Sequence, residues 1–513
     1  MMPVDRNRPF SLSDAEIGAV RGDLALAGFD EAGITGAFGV KAIPAIRDVS
    51  LEAAIRRTAA DSPLNTLARL FVVGISASHA SAEKAFASAP LERLMAGGLL
   101  ADKGGQIYAT LKITPVDGLL LGFDRSWPED KVEAPDHVMG PSDSARLLAG
   151  LVIRGDFDSV LDVGAGCGYL TFLAARNSKR AVATDLNPRA AAFVALNARL
   201  NGIANVEART GDMFAPVKGE RFDLVISNPP FVISPEDRLV YLNGGMKADA
   251  FCQKIAGEAP AYLKEGGHFQ MLCNWVENTG GAWQERLQGW FQGTGCDTWV
   301  LRSSTTDPLS YASNWMKYGH ADAAAGGSPR LEAWLEYYRE EKIASIGGGA
   351  VIMRKRAGGD NWFRSFDGPE RITGSAGGEV LTRMAALDFL AREAKHDEAL
   401  LRSVLRVSPA VTLTQECGPT EAGWAQTRAF IKVTQGFAYV EEIDTFFGEL
   451  LASCNGIRTL EEAIDKTAAA LGLASGEVPA ETCEVVRQLV DEGFLLPRAA
   501  GSGNGKSNFT LAV

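Results

Sequence analysis

Long apolar runs are missing from this 513-residue chain. Stretches such as Leu119–Phe123 fall well short of the roughly 18 residues that a membrane helix needs, and the N-terminus has no signal-peptide h-region. The expectation is a cytoplasmic protein without a membrane segment. Cysteines at metal spacing are missing as well: the seven, at 167, 252, 273, 296, 417, 454 and 483, are scattered, odd in number and never arranged as CxxC. That pattern argues against both a disulfide framework and a zinc site. With only five scattered histidines, no metal is expected. Positive charge is in short supply too. A net charge of −12 works against sequence-independent attraction to phosphate backbones and favours a protein or small-molecule partner.

What is present describes an ordinary soluble globular protein, with 46% apolar and 22% charged residues. The length exceeds the roughly 250–300 residues at which single cores stop growing, so two to four domains are expected. Residues 1–130 read as a helical domain ending in a winged-helix-like module. In it, helical patterns are followed by a Gly97-Gly98 break and then by two strands, Gln106–Ile113 and Gly118–Phe123, joined through residues 114–117. A linker rich in Pro, Asp and Glu spans 126–141. From Ser159 onward short apolar strands alternate with helices, the mark of an open, doubly wound parallel sheet. Seven strands are expected, near 159–163, 181–185, 205–208, 222–227, 268–274, 297–302 and 349–355. A Gly-rich loop follows to about Gly378, then an α+β domain over 370–498 whose last part, from Asp444, holds three helices and a strand. Residues 499–513 form a tail expected to be flexible.

The chemistry sits in the sheet domain. Val160-Leu161-Asp162-Val163-Gly164-Ala165-Gly166-Cys167-Gly168 ends the first strand with glycines that permit a tight turn and close backbone approach to a ligand. Alone, such a turn only joins strand to helix. Asp185 ends the next strand, where a carboxylate accepts from ribose hydroxyls; by itself that position also suits a nicotinamide dinucleotide. Gly211-Asp212-Met213-Phe214 follows the third strand and offers a carboxylate to an adenine amino group, and the fourth ends in Ser227-Asn228-Pro229-Pro230-Phe231. Asp162, the glycines, Asp185, Asp212 and Asn228 thus fall at successive places that, in an open sheet, line one crevice at the carboxyl ends of strands. Over about 137–356 the chain here resembles the class I S-adenosylmethionine-dependent methyltransferases. The resemblance implies a seven-stranded Rossmann-like sheet, Gly164, Gly166 and Gly168 against the methionine part, Asp185 on the ribose and Asp212 at the adenine edge. It also implies S-adenosylhomocysteine as product.

Methyl transfer to nitrogen needs a lone pair aimed at the sulfonium methyl, and planar nitrogens have theirs delocalised, so geometry does most of the work. In Asn228-Pro229-Pro230-Phe231 the prolines fix φ and offer no competing donors, leaving the Asn228 side-chain oxygen and the Pro229 carbonyl to grip an NH2 group while Phe231 stacks on a planar acceptor. The motif resembles those of the HemK-type glutamine methyltransferases and of methyltransferases acting on the exocyclic amine of guanine or adenine in RNA. Phe231 stands where the HemK-type pattern has Tyr, and several RNA enzymes carry Phe, so amide and nucleobase amine both stay open. A binding protein that keeps the fold without activity is a third reading, opposed by the intact polar set. The candidate winged-helix modules differ in charge: residues 65–125 carry net +1 and residues 441–497 net −9. An acidic module repels phosphates, which tips the expectation toward a Gln or Asn amide of a protein or peptide, with RNA as the alternative.

Overall fold

In the computed structural model, which describes residues 10–125, 134–236, 244–316, 329–358, 360–369, 372–373, 376–421, 423–474 and 478–498, the alternating region forms one sheet. Its strands are β1 (Phe157–Val163), β2 (Ser178–Asp185), β3 (Val206–Thr210), β4 (Phe222–Ser227), β5 (Leu263–Asn278), β6 (Cys296–Thr306), β7 (Ile343–Lys355) and β8 (Phe363–Asp367). They lie side by side in the order β8-β6-β7-β5-β4-β1-β2-β3. The run from β5 to β3 is parallel, and β7 is antiparallel to both β5 and β6. The parallel strands are buried on both faces, which is why Val160–Val163 and Leu224–Ser227 read as continuous apolar runs interrupted by a single polar residue. Under them lies a core that includes Leu161, Val225, Phe269, Trp275 and Val351.

Eight described strands stand where seven were expected. Phe363–Asp367 lay in what read as Gly-rich loop, but the fully buried Asp297 captures the Trp362 N–H at 3.2 Å, Trp362 C=O accepts from Thr298 N–H at 2.9 Å, and Phe363 stacks on Phe291 with ring centroids 5.9 Å apart. Those tertiary contacts, not a local pattern, make the edge strand.

By compactness the chain divides into two units: Met1–Ala149 with Gly155–Ser365, and Gly150–Arg154 with Phe366–Val513. In the first, short helices precede a small sheet of 77–78, 106–109 and 100–103 and a separate hairpin, Leu111–Val116 with Leu119–Asp124. The expected strand 106–113 is broken at Thr110, and the turn is not 114–117 but Asp117-Gly118, at φ 49° and 69°. Two residues at positive φ match the twist of the flanking strands; Pro115, which looked like a loop signal, sits in the strand opposite Leu120. In the second unit, helices Thr445–Ser453, Leu460–Leu471 and Thr482–Asp491 pack around a core with Leu405, Ile431 and Phe494, beside a long hairpin, Val411–Thr420 with Gly423–Val433. The tail at 499–513 and residues 126–133 of the expected linker lie outside the described residues. Among the described residues no helix is long and apolar enough to cross a membrane.

Candidate active site

The strand order reverses direction between β1 and β4, the switch point at which open α/β sheets hold ligands. Two turns meet there. Gly164, Gly166 and Gly168 leave β1 with φ of 77°, 55° and 87°, a backbone that L-residues with a Cβ rarely adopt. At Gly164 and Gly166 nothing lies within 4 Å of where a Cβ would project, so the turn presents open space. Helix α2 (Tyr169–Ala175) starts immediately after it.

Backbone hydrogen bonds tie this turn to the ends of β2 and β3. The Gly166 N–H donates to Asp185 Oδ2 at 2.9 Å and the Asn187 N–H to Asp185 Oδ1 at 2.8 Å, while the Gly211 N–H donates to the Asp185 carbonyl at 2.9 Å. Asp185, lying in this shielded place, has its pKa pushed up by burial. Asp212 is exposed beyond β3, with its carbonyl accepting from Ala215 N–H at 2.8 Å. Asp162 is placed differently from Asp185 and Asp212: only 1% exposed, it stands behind the turn, accepts from Thr171 Oγ1 at 2.6 Å, and has no partner on Oδ1. Burial, helped by the charge of Asp185, raises its pKa to about 7.

The second turn closes β4. Ser227 Oγ donates to the Val163 carbonyl at 2.8 Å and so pins the ends of β4 and β1 together. Asn228 is half-buried, its Nδ2 donating to Ser144 Oγ at 3.2 Å while Oδ1 is buried with no partner. Ser144 lies in helix α1 (Asp143–Leu151) and shares a 2.8 Å hydrogen bond with Ser142. Nothing in the order of residues along the chain marks Ser144. Pro229 is buried, Pro230 and Phe231 half-buried, and the Phe231 ring meets Trp315 edge-on at 6.0 Å. The glycine turn, Asp185, Asp212 and Asn228 are thus brought to one end of the parallel strands, with Asp162 beneath them.

A cation-bearing nucleoside with an amino-acid tail fits these features: open glycine backbone, a shielded carboxylate, and two buried oxygens, on Asp162 and Asn228, that lack partners. The methyltransferase small domain family matches residues 142–292, and two families described only as domains of unknown function match 26–110 and 381–497. Over 149 residues the chain is 32% identical to a Methanocaldococcus jannaschii protein named "Putative protein N5-glutamine methyltransferase", covering 28% of this chain and 75% of that protein. The chain belongs to the methyltransferase small domain family. Its central domain is that of an S-adenosylmethionine-dependent methyltransferase. Other similar proteins are the release factor glutamine methyltransferase of Cereibacter sphaeroides, 42% identical over 144 residues (25% of this chain, 51% of that one), and the ribosomal RNA small subunit methyltransferase C of Alcanivorax borkumensis, 30% identical over 115 residues (22% and 32%). The chain therefore spans about half the length of the first of these two and a third of the second.

Proposed function

We propose that this methyltransferase acts on a planar nitrogen, the side-chain amide of a glutamine or asparagine in a protein or peptide. The observation that carries the reading is Asn228: its amide nitrogen is held by Ser144 while its Oδ1 is buried without a partner beside the glycine turn. A buried acceptor left unsatisfied is costly, and an incoming NH2 group satisfies it. Relatives named for glutamine methylation support the same choice.

When bound, S-adenosylmethionine supplies an electrophilic methyl on sulfur and leaves as S-adenosylhomocysteine. Gly164 and Gly166 would hold its methionine part on open backbone, with Gly168, packed on Phe172 and Val194, bordering it; Asp185 would hold its ribose hydroxyls and Asp212 its adenine edge, with Asp162 supplying negative charge behind the turn. Asn228 Oδ1 and the Pro229 carbonyl accept the two N–H bonds of the acceptor, which aims the nitrogen and stabilises positive charge as it develops. Pro230 stiffens the turn and Phe231 offers a ring for stacking.

A nucleobase amine of RNA is the second reading, favoured by Phe231 and by the similarity to a ribosomal RNA methyltransferase. The N-terminal helices and sheet, read as winged-helix-like, carry almost no net charge, and the C-terminal module is acidic, which weighs against it. The test is to compare proteins and digested RNA from cells with and without the gene by mass spectrometry. The expected result is a glutamine- or asparagine-containing peptide lighter by one CH2 in the deletion; unchanged peptides together with a missing methylated base overturn the amide in favour of RNA.

A further inference from the structure

β6 and β7 are antiparallel neighbours, which a loop of two to five residues is able to join. Instead residues 307–342 intervene, carrying helices α6 (Pro308–Trp315) and α7 (Pro329–Glu340), with 317–328 outside the described residues. The described part of this insertion meets the acceptor half of the crevice. Val232 and Ile233, directly after the Asn228–Phe231 turn, are buried in a small core built by Tyr311, Ala312, Trp334 and Tyr338, and Phe231 packs at its edge.

The insertion holds both polar backbone groups of Ile233. Its N–H donates to the Tyr311 hydroxyl at 3.1 Å and its C=O accepts from the Tyr338 hydroxyl at 2.8 Å. Tyr311 Oη also accepts from Asn274 Nδ2 of β5 at 2.7 Å, so one hydroxyl ties the sheet to the chain two residues past Phe231. Trp315, the last residue of α6, is half-buried, and its ring stands at 79° to that of Phe231. Six described tryptophans of the sheet domain, 275, 283, 290, 299, 334 and 362, are buried at 7% exposure or less; Trp315 is half-buried, with its ring against Phe231 of the acceptor turn.

Two rings at a right angle form a corner. A flat group that lies on one ring meets the edge of the other, and water is excluded from its NH2 end, which then turns to the Asn228 oxygen. We propose that the two described helices of this insertion, α6 and α7, are the acceptor-recognition element: Trp315 and Phe231 are the two walls that receive the planar amide of a peptide side chain, and Tyr311 and Tyr338 are positioning residues that hold the turn through Ile233. This rests on the amide reading above.

The test uses the full chain, tritium-labelled S-adenosylmethionine, and as acceptor the ribonuclease-treated protein extract of cells lacking the gene, titrated over concentration. Calorimetry with S-adenosylmethionine runs in parallel. Trp315→Ala is expected to raise the half-saturating extract concentration about tenfold or more, as loss of a buried aromatic anchor does, with cofactor affinity unchanged and Trp315→Phe restoring most of the loss. Tyr311→Phe keeps the ring but removes the acceptor of two hydrogen bonds, and is expected to lower the maximal rate about tenfold through misplacement of the turn. Wild-type half-saturation in Trp315→Ala overturns the proposal. If Trp315→Ala fails to bind cofactor, Trp315→Leu, which retains apolar bulk, decides by the same criterion. If wild-type protein labels RNA and not protein, the amide reading falls, and the same variants measured on RNA from those cells decide whether the corner is the acceptor site.

Discussion

The two halves of the crevice are built on different principles. The cofactor half is polar and braced by side-chain amides that grip backbone groups: Asn197, wholly buried in helix Pro188–Asn201, takes the Gly122 N–H on Oδ1 at 2.7 Å and donates to the carbonyls of Gly122 and Cys167, each at 2.9 Å. The hairpin that ends the N-terminal module thereby fixes the glycine turn, and Asn201 repeats the device one helical turn later on Leu120. Arg189, four residues past Asp185, pairs with the buried Asp124 at the end of the same hairpin, Nε to Oδ2 at 2.8 Å. The acceptor half is aromatic and braced by ring hydroxyls, Ile233 being held by tyrosines 78 and 105 residues downstream. On the proposed reading, the cofactor meets a polar frame and the acceptor meets an inserted apolar corner.

If that division holds, single substitutions separate along it. Asn228→Ala removes an acceptor that aims the nitrogen and holds it more strongly as charge develops, so turnover is expected to fall about 100- to 1000-fold, with cofactor affinity by calorimetry little changed; a comparable loss of cofactor binding merges the halves. Asp185→Ala goes the other way. A hydrogen bond to a charged group contributes about 1.5–3 kcal/mol, so cofactor affinity is expected to weaken about 10- to 100-fold while half-saturation for the acceptor stays near wild type.

Legibility follows the same division. The glycine turn, Asp185, Asp212 and Asn228 are readable because a parallel strand is a short apolar run and its functional end follows directly; the strands expected at 181–185 and 222–227 end where β2 and β4 end. Ser144, Tyr311, Tyr338 and Trp315 are not, since their roles arise from contacts across tens of residues that no local period encodes. Nothing in the sequence around Trp315 sets it apart from the other tryptophans of the domain. The same reason hid the eighth strand, which a buried Asp297 creates at Trp362.

Asp162 sharpens the account of the cofactor half. Its pKa of about 7 in the free protein means that it is mostly neutral at pH 6 and mostly ionised at pH 8. A cationic cofactor favours the ionised form, so binding releases a proton and affinity is expected to drop about tenfold from pH 8 to pH 6. The same raised pKa acts on stability with the opposite sense. The fold prefers the protonated acid, so the free protein gains stability relative to Asp162→Asn as pH falls from about 7 toward the ordinary carboxylate range, and loses that gain on the way back up. Melting curves and calorimetry of Asp162→Asn check both; an unchanged pH slope in the variant assigns the effect to another group, with Asp185 next in line.

The smallest expected effect tests the border between the halves, because Ser144 belongs to α1 and yet orients a residue of the acceptor turn. Its hydroxyl accepts from Asn228 Nδ2 and so leaves Oδ1, buried without a partner, as the atom that receives an N–H on the proposed reading. Without it the Asn228 amide is free to flip, which exchanges acceptor for donor at that place. A neutral hydrogen bond contributes about 0.5–1.5 kcal/mol, so Ser144→Ala is expected to lower the maximal rate about two- to tenfold and to leave both the cofactor affinity and the acceptor half-saturation where they were. Ser144→Thr, which keeps the hydroxyl, restores the rate if orientation is the cause. A rise in acceptor half-saturation instead places α1 in the wall of the acceptor corner, and the border between the two halves moves with it.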